Sequence, residues 1–148
     1  MHLAVGEMRL AGARMFTGIV RDMTDLRAAK VAGIAKDIPP AAVRGEGQAD
    51  ILLVGWGSTE GAITSAAEGL RADGVGVHTV HLTHLNPFPA NLGDVLRSYS
   101  KVFVPEMNNG QLVRLLRAEY LVDAKAVTKV QGTPFTAAEL MQAVREGI

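Results

Sequence analysis

Asp50-Ile51-Leu52-Leu53-Val54-Gly55-Trp56-Gly57-Ser58-Thr59-Glu60 is the stretch that decides the fold. Its first half, Ile51 to Val54, is a continuous apolar run, which is typical of a strand buried on both faces. A glycine-rich turn follows, and Ser58 or Thr59 can cap a helix that begins near Glu60. A buried strand that leads through a tight turn into a helix predicts a parallel sheet covered by helices.

The same alternation of strand and helix continues to the end of the chain. Further strands are predicted at 75–82, 101–104 (closed by Pro105) and 126–130, and helices from Glu60 to Asp73, at 92–96, after Asn108 or Asn109, and after Thr136. The last helix has the clearest start, because Thr136 and Glu139 form a capping box. Four strands that alternate with helices predict a three-layer α/β/α sandwich with a mostly parallel sheet and right-handed crossovers.

The first third of the chain has no such pattern. Its early glycines and methionines are scattered without strand or helix periodicity, which indicates an ordered arm of a larger protein or a partly disordered segment. Thr24 or Asp25 can cap a helix that runs to Lys36, before the Ile38-Pro39-Pro40 run ends it. The predicted organisation is an arm (1–23), a lead-in helix and linker (24–48), and an α/β domain (49–148).

Composition excludes several classes of function. The 148 residues carry 15 Lys and Arg against 15 Asp and Glu, whereas a general nucleic-acid binder needs a surplus of basic residues. The sequence has no cysteine, so it offers no disulfide, iron–sulfur cluster, Cys-ligated zinc or thiol nucleophile. An apolar run of ~20 residues and a signal peptide are also absent. We therefore predict a soluble, cytoplasmic domain that binds neither nucleic acid nor membrane.

Ligands of a parallel sheet bind beyond the carboxyl ends of its strands, where helix N-termini point their unpaired amides outward. In the loop after the first predicted strand, the candidate residues are Gly57, Ser58 and Thr59. They either contact an anion or a neighbouring chain, or form no more than a tight turn with a helix cap. This loop is a poor dinucleotide fingerprint, because Glu60 stands where the third glycine belongs.

The loop after the third predicted strand contains a carboxylate and three amides, and its candidate residues are Glu106, Asn108, Asn109 and Gln111. These side chains either bind a polar ligand or a neighbouring chain, or they serve the following helix. In the second case Asn108 caps that helix and Glu106 complements its dipole. Since both loops follow strands of one parallel sheet, we expect them at the same edge.

Three further patterns predict no active site. His78, His81 and His84 recur every third residue, but side chains of a strand alternate between its faces, so the three do not converge on one metal ion. Asp73-Gly74 ahead of Asn108-Asn109 resembles the metal-binding motif of thiamine diphosphate enzymes, but it ends a helix instead of following a strand. A nucleophile elbow, G-x-S-x-G, is absent. We predict no catalytic, cofactor-binding or metal-binding residue in this chain.

Four motifs, taken together and in order, resemble one family. They are Gly55-Trp56-Gly57-Ser58-Thr59-Glu60-Gly61, Leu85-Asn86-Pro87-Phe88-Pro89, Glu106-Met107-Asn108-Asn109-Gly110-Gln111-Leu112 and Gly132-Thr133-Pro134-Phe135-Thr136. The chain resembles the C-terminal domain of the α subunit of 2-oxoacid:ferredoxin oxidoreductases, especially the 2-oxoglutarate (KorA-type) branch. That domain is similar to the C-terminal domain of transketolase. The resemblance covers residues 24–148.

The resemblance implies a structural and assembly domain that is inactive alone, hence part of an enzyme. The whole complex would decarboxylate a 2-oxo acid oxidatively, form its acyl-CoA and reduce ferredoxin. Thiamine diphosphate, magnesium and iron–sulfur clusters would then bind elsewhere in the complex. The implied partners are the remaining α-subunit domains and the β subunit, and a homo-oligomer stays open. The alternative is a free-standing flavodoxin-like module that binds a nucleotide or an anionic metabolite.

Overall fold

The computed structural model describes the backbone of residues 7–10, 13–16 and 18–148, and the side chains from residue 25 onward. Its elements are β1 (Glu7–Leu10), β2 (Ala13–Phe16), α1 (Gly18–Ile34), β3 (Val43–Arg44), β4 (Ile51–Trp56), a 3₁₀ turn (Gly57–Thr59), α2 (Glu60–Ala72), β5 (Val77–Leu82), α3 (Leu92–Arg97), β6 (Lys101–Glu106), α4 (Gln111–Tyr120), β7 (Ala124–Thr128) and α5 (Ala137–Gly147). Among these described residues, no helix combines the length and apolarity that a membrane span requires.

Five of the strands form one sheet, in the order β3-β5-β4-β6-β7. β4 lies at its centre and pairs in parallel with β5 on one side and with β6 on the other. β6 in turn pairs in parallel with β7. The two-residue strand β3 pairs with β5 and is antiparallel. The mostly parallel sheet predicted from the sequence is confirmed.

Helices cover both faces of this sheet. Alternate side chains of β4 point to opposite faces. Leu52 and Val54 belong to an apolar cluster that includes residues of α3 and α4, whereas Ile51 and Leu53 belong to a cluster that includes residues of α2 and α5. The three-layer α/β/α prediction is therefore confirmed, and the burial of β4 on both sides explains its continuous apolar run.

The N-terminal part differs from the prediction. β1 and β2 pair antiparallel within the segment predicted as an arm. Helix α1 begins at Gly18, and not at Thr24 or Asp25. A threonine or aspartate is only mildly unfavourable inside a helix, so a candidate cap is a weak signal for where a helix starts. The rest of the predicted arm, residues 1–6, 11–12 and 17, lies outside the described residues, and the division of the chain at residues 23 and 48 stays a prediction.

Strand boundaries also differ from the prediction. β3 lies within the predicted linker, because two exposed residues that pair with β5 leave no apolar pattern to detect. β6 runs through Pro105, although the sequence predicts that Pro105 closes it. Its pairing with β4 ends at Phe103, so Pro105 has a neighbouring strand on one side, where proline is tolerated. β7 begins two residues earlier than predicted, at the fully buried Ala124.

Helix α5 begins with the predicted capping box. The Thr136 hydroxyl accepts a hydrogen bond from the Glu139 backbone N–H at 3.2 Å, and the Glu139 carboxylate accepts one from the Thr136 N–H at 2.7 Å. Lys129 donates to both carboxylate oxygens of Glu139, at 2.8 and 2.9 Å. The hydrogen bond from Lys129, followed by those from Thr136, lowers the pKa of Glu139 from 4.5 to about 2.

This ion pair makes stability depend on acidity. Because the folded-state pKa of Glu139 lies below its unfolded value, its stabilisation is present above pH 4.5 and is lost as the pH falls toward 2. We expect the melting temperature of Glu139→Gln to lie below that of the unmodified chain at neutral pH. The difference between the two melting temperatures should shrink as the pH falls, which thermal unfolding at several pH values measures. Glu68→Gln, at an exposed position of α2, is the control. A gap that stays constant down to pH 2 would contradict this account.

Gly55 lets α2 pack closely on β4. A Cβ atom on Gly55 would lie 2.3 Å from Ile63 Cδ1 and 2.9 Å from Thr59 Oγ1. At Gly61 in α2, by contrast, an added Cβ meets no neighbouring side chain within 4 Å in the described part of the chain.

We expect Gly55→Ala to lower the free energy of unfolding by ~1–3 kcal/mol through overpacking. Gly61→Ala, the matched control, should raise it by ~0.5–1 kcal/mol, since alanine is the better helix former. Urea titration of both variants measures the difference. Equal effects of the two substitutions would contradict close packing at Gly55.

Candidate functional site at the carboxyl edge of the sheet

The two candidate loops meet at one edge of the sheet, as predicted. The loops that follow the parallel strands β4 and β6 open side by side and enclose a cleft of about 220 Å³. The cleft is lined by Trp56, Gly57, Ser58, Thr59, Met107 and Asn108. Of the candidate residues, the structure therefore brings together Gly57, Ser58, Thr59 and Asn108. Glu106 ends β6, Asn109 lies in the loop that follows and Gln111 begins α4, and none of the three lines the cleft.

Thr59 serves its own turn instead of capping α2. Its buried hydroxyl donates to the Trp56 carbonyl oxygen at 2.8 Å and accepts from the Trp56 N–H at 3.2 Å. Thr59 occupies the cap position of α2 but makes no side-chain cap bond there, so the prediction that it caps this helix is wrong. The cause is the 3₁₀ turn at Gly57–Thr59, which directs the hydroxyl backward along the chain. Ser58 is exposed at the mouth of the cleft.

Glu106 is the most deeply buried charged group of the site. No part of its side chain is exposed, and its carboxylate accepts hydrogen bonds from the backbone N–H groups of Leu112 at 2.7 Å and Val113 at 3.0 Å. The Asn108 side-chain amide donates to the same carboxylate at 3.2 Å. The negative charge thus lies on the positive end of α4, which confirms that Glu106 complements the helix dipole.

The cap position of α4 is Gly110, and not Asn108 or Asn109 as predicted, but the Asn108 side chain still bonds to the backbone at the start of the helix. The Asn108 side-chain oxygen accepts from the backbone N–H groups of Gly110 at 2.8 Å and Gln111 at 2.9 Å. Gly110 precedes the helix in a left-handed conformation, with φ of 79°, which favours glycine. Asn109 is exposed, and so is Gln111. A ligand or interface role for these exposed amides stays a prediction.

The histidines separate, as the alternation of strand side chains predicts. The His78 ring lies 2.8 Å from the Tyr99 hydroxyl, in the layer of α3, whereas the His81 ring lies 3.8 Å from the Glu60 carboxylate at the start of α2. His84 lies beyond the end of β5. Among the residues that the structure describes, no group of three or more His, Asp or Glu side chains could hold a metal ion.

Trp56 and Met107 line the cleft although the sequence did not mark them as candidates, and the ion pairs of Glu60, beside the cleft, were not predicted either. Besides its approach to His81, Glu60 pairs with Arg44 of β3 at 2.8 Å. Arg44 lies 16 positions earlier in the chain, in a strand without a sequence signal, so no local pattern could have revealed the pair.

The residues of the apparent thiamine motif do not fit a metal–diphosphate site. Asp73 is the C-terminal cap of α2, and its carboxylate pairs with Arg145 of α5. Gly74 follows in a left-handed conformation, with φ of 81°, as a helix end requires. The Asn108 side-chain oxygen already accepts two backbone hydrogen bonds at the start of α4. We therefore derive no reaction step through thiamine diphosphate on this chain.

Known proteins match this domain. The chain matches a family described as pyruvate:ferredoxin oxidoreductase core domain II over residues 49–140. It is 48% identical over 127 residues to the 2-oxoglutarate oxidoreductase subunit KorA of Mycobacterium tuberculosis, covering 85% of this chain and 19% of that protein. It is 35% identical over 112 residues to the 2-oxoacid:ferredoxin oxidoreductase 2 subunit alpha of Aeropyrum pernix, covering 74% of this chain and 17% of that protein. The chain thus spans less than a fifth of the length of these relatives.

Solved structures match as well. A 2-oxoglutarate:ferredoxin oxidoreductase from Magnetococcus marinus, solved with 2-oxoglutarate, coenzyme A and succinyl-CoA bound, matches with a TM-score of 0.77 at 30% identity, over 91% of this chain and 24% of that chain. A split-gene transketolase matches with a TM-score of 0.57 at 21% identity, over 74% of this chain and 42% of that chain. The second match concerns the fold, and it confirms the transketolase-like architecture predicted from the sequence.

Because the Glu106 carboxylate accepts backbone hydrogen bonds in a buried place, replacing it by an amide should destabilise the fold. In Glu106→Gln, an amide group replaces one acceptor oxygen and faces backbone donors, so at least one N–H of α4 loses its partner. We expect a loss of ~1.5–3 kcal/mol in the free energy of unfolding, measured by urea titration. Glu119→Gln, an exposed position on the same helix, should stay within ~0.5 kcal/mol. Equal values for the two variants would contradict the role assigned to Glu106.

Proposed function

Because this chain belongs to the pyruvate:ferredoxin oxidoreductase core domain II family, we propose that it is the C-terminal structural and assembly domain of the α subunit of a 2-oxoacid:ferredoxin oxidoreductase. Relatives whose names include 2-oxoglutarate support that oxo acid as the substrate of the parent complex. The complex, in the cytoplasm, decarboxylates the oxo acid oxidatively, forms its acyl-CoA and reduces ferredoxin. This chain is inactive alone.

The observation that supports this proposal is that polar side chains at the carboxyl edge of the sheet bond to the backbone of their own loops. A catalytic site needs such groups aimed at a substrate. Here the Glu106 carboxylate and the Asn108 amide bond to backbone groups at the start of α4. Thr59 likewise bonds to the backbone of its own turn. These three side chains thus hold the loops in place, and the domain contributes a rigid surface.

The cofactors then bind to other parts of the complex. The sequence has no cysteine to ligate an iron–sulfur cluster. Asp73, the acidic residue of the apparent thiamine motif, ends a helix and pairs with Arg145. Thiamine diphosphate and magnesium are accordingly placed on the remaining α-subunit domains and the β subunit, which are the partners of this chain. A free-standing flavodoxin-like module is not favoured, because the matches are to oxidoreductase subunits.

A domain replacement tests this function. The 127 matched residues of Mycobacterium tuberculosis KorA are replaced by those of this chain, and the chimera is produced with its partner subunit. We expect ferredoxin reduction that depends on 2-oxoglutarate and coenzyme A, at a rate close to that of unmodified KorA. KorA from which the same residues are deleted is the control, and should be inactive.

Two results would contradict the proposal. The first is a chimera that assembles with its partner but reduces no ferredoxin. The second is tight binding of thiamine diphosphate, or decarboxylation, by this chain alone, measured by calorimetry and by release of carbon dioxide.

A further inference from the structure

Helix α1 is bare over its described side chains. Every one of them, at residues 25–34, is exposed. The apolar residues Leu26, Val31 and Ile34 keep 59%, 39% and 48% of their surface in contact with solvent. Helices in proteins owe most of their stability to the packing of one face against other elements. The described part of the chain therefore leaves the apolar side chains of α1 only partly covered.

An apolar groove separates α1 from the rest of the domain. Its two adjoining parts have volumes of about 600 and 480 Å³, and both are lined by Ala32, Asn86 and Pro87. We call this space the α1 groove. One wall is the face of α1 with small side chains, and the opposite wall includes Phe88 and Leu115.

Leu115 marks this wall as a surface built for contact. It lies on α4, and it is 52% exposed. Its helix neighbours Leu112 and Leu116, by contrast, are buried in the core. One exposed leucine would be unremarkable, but Leu115 is continuous with Phe88 and Pro87 along the groove, and a contiguous apolar surface of this kind marks a contact site.

The relatives indicate which partner fills the groove. The family match covers residues 49–140, so α1 lies outside the domain core that the family shares. The match to the Magnetococcus marinus structure, however, covers 91% of this chain, so it leaves out fewer residues than the 17 that form α1. At least part of α1 therefore has a counterpart in that chain, of which this one covers 24%. The remaining three quarters of such a chain are available to cover α1.

We infer that the α1 groove is the docking surface for the remaining part of the α subunit, which inserts an apolar segment between α1 and α4. Arg27 lines the groove in one part and Glu119 in the other. Charge complementarity then places an acidic group of the inserted segment near Arg27 and a basic group near Glu119. This inference rests on the proposed function and adds to it the face by which the domain is held.

The absence of cysteine lets one introduced thiol report on the groove. Ala32→Cys places a thiol on the groove wall, and Ala72→Cys, exposed at the end of α2, is the matched control. In the isolated chain both thiols should react with a maleimide at similar rates. In the KorA chimera the Ala32→Cys thiol should react about tenfold more slowly relative to the control, as measured by mass spectrometry of the labelled peptides.

Each other outcome decides against the inference. An active chimera in which the Ala32→Cys thiol reacts as fast as the control overturns the docking surface and leaves the proposed function intact. A chimera that does not assemble contradicts the proposed function, and the docking surface with it. Protection of the same thiol that grows with the concentration of the isolated chain assigns the groove to a second copy, which also overturns the inference.

Discussion

Strand β4 is buried on both faces, and this one constraint organises the domain. A buried backbone must pair its N–H and C=O groups, and β5 and β6 supply the partners on the two edges. Its apolar side chains must be covered above and below, and the helices on the two faces do so. Because β4 and β6 run in the same direction, their following loops emerge at the same edge. The cleft at that edge is therefore a consequence of how β4 is buried.

Glu106 shows how the fold uses the polar residues of that edge. Burying a carboxylate is costly unless hydrogen bonds compensate it. The first turn of every helix leaves N–H groups unpaired, and here those of Leu112 and Val113 meet the carboxylate. Each partner removes the cost of burying the other, so the loop and the helix are held together. Residues that resemble a binding site in the sequence are thus engaged in building the edge.

An exposed apolar groove lies elsewhere on the molecule. The groove beside α1 is bounded by Phe88 and Leu115, and none of the polar candidate residues lines it. A domain that occupies part of a longer chain in its relatives presents surfaces of this kind to its neighbours. This distribution agrees with the proposed role of the domain, which is to pack against its neighbours rather than to catalyse a reaction at the cleft.

The sequence alone determined β4, α2, α5 and the class of fold, because their signals lie in adjacent residues. The apolar run at 51–54 and the capping box at Thr136 need no knowledge of distant parts of the chain. Tertiary structure decided the rest: β3 forms only because it pairs with β5, and Pro105 is tolerated because β6 has a single neighbouring strand at that point. These features depend on which strand lies nearby in space, and this cannot be inferred from the residues that are adjacent in the sequence.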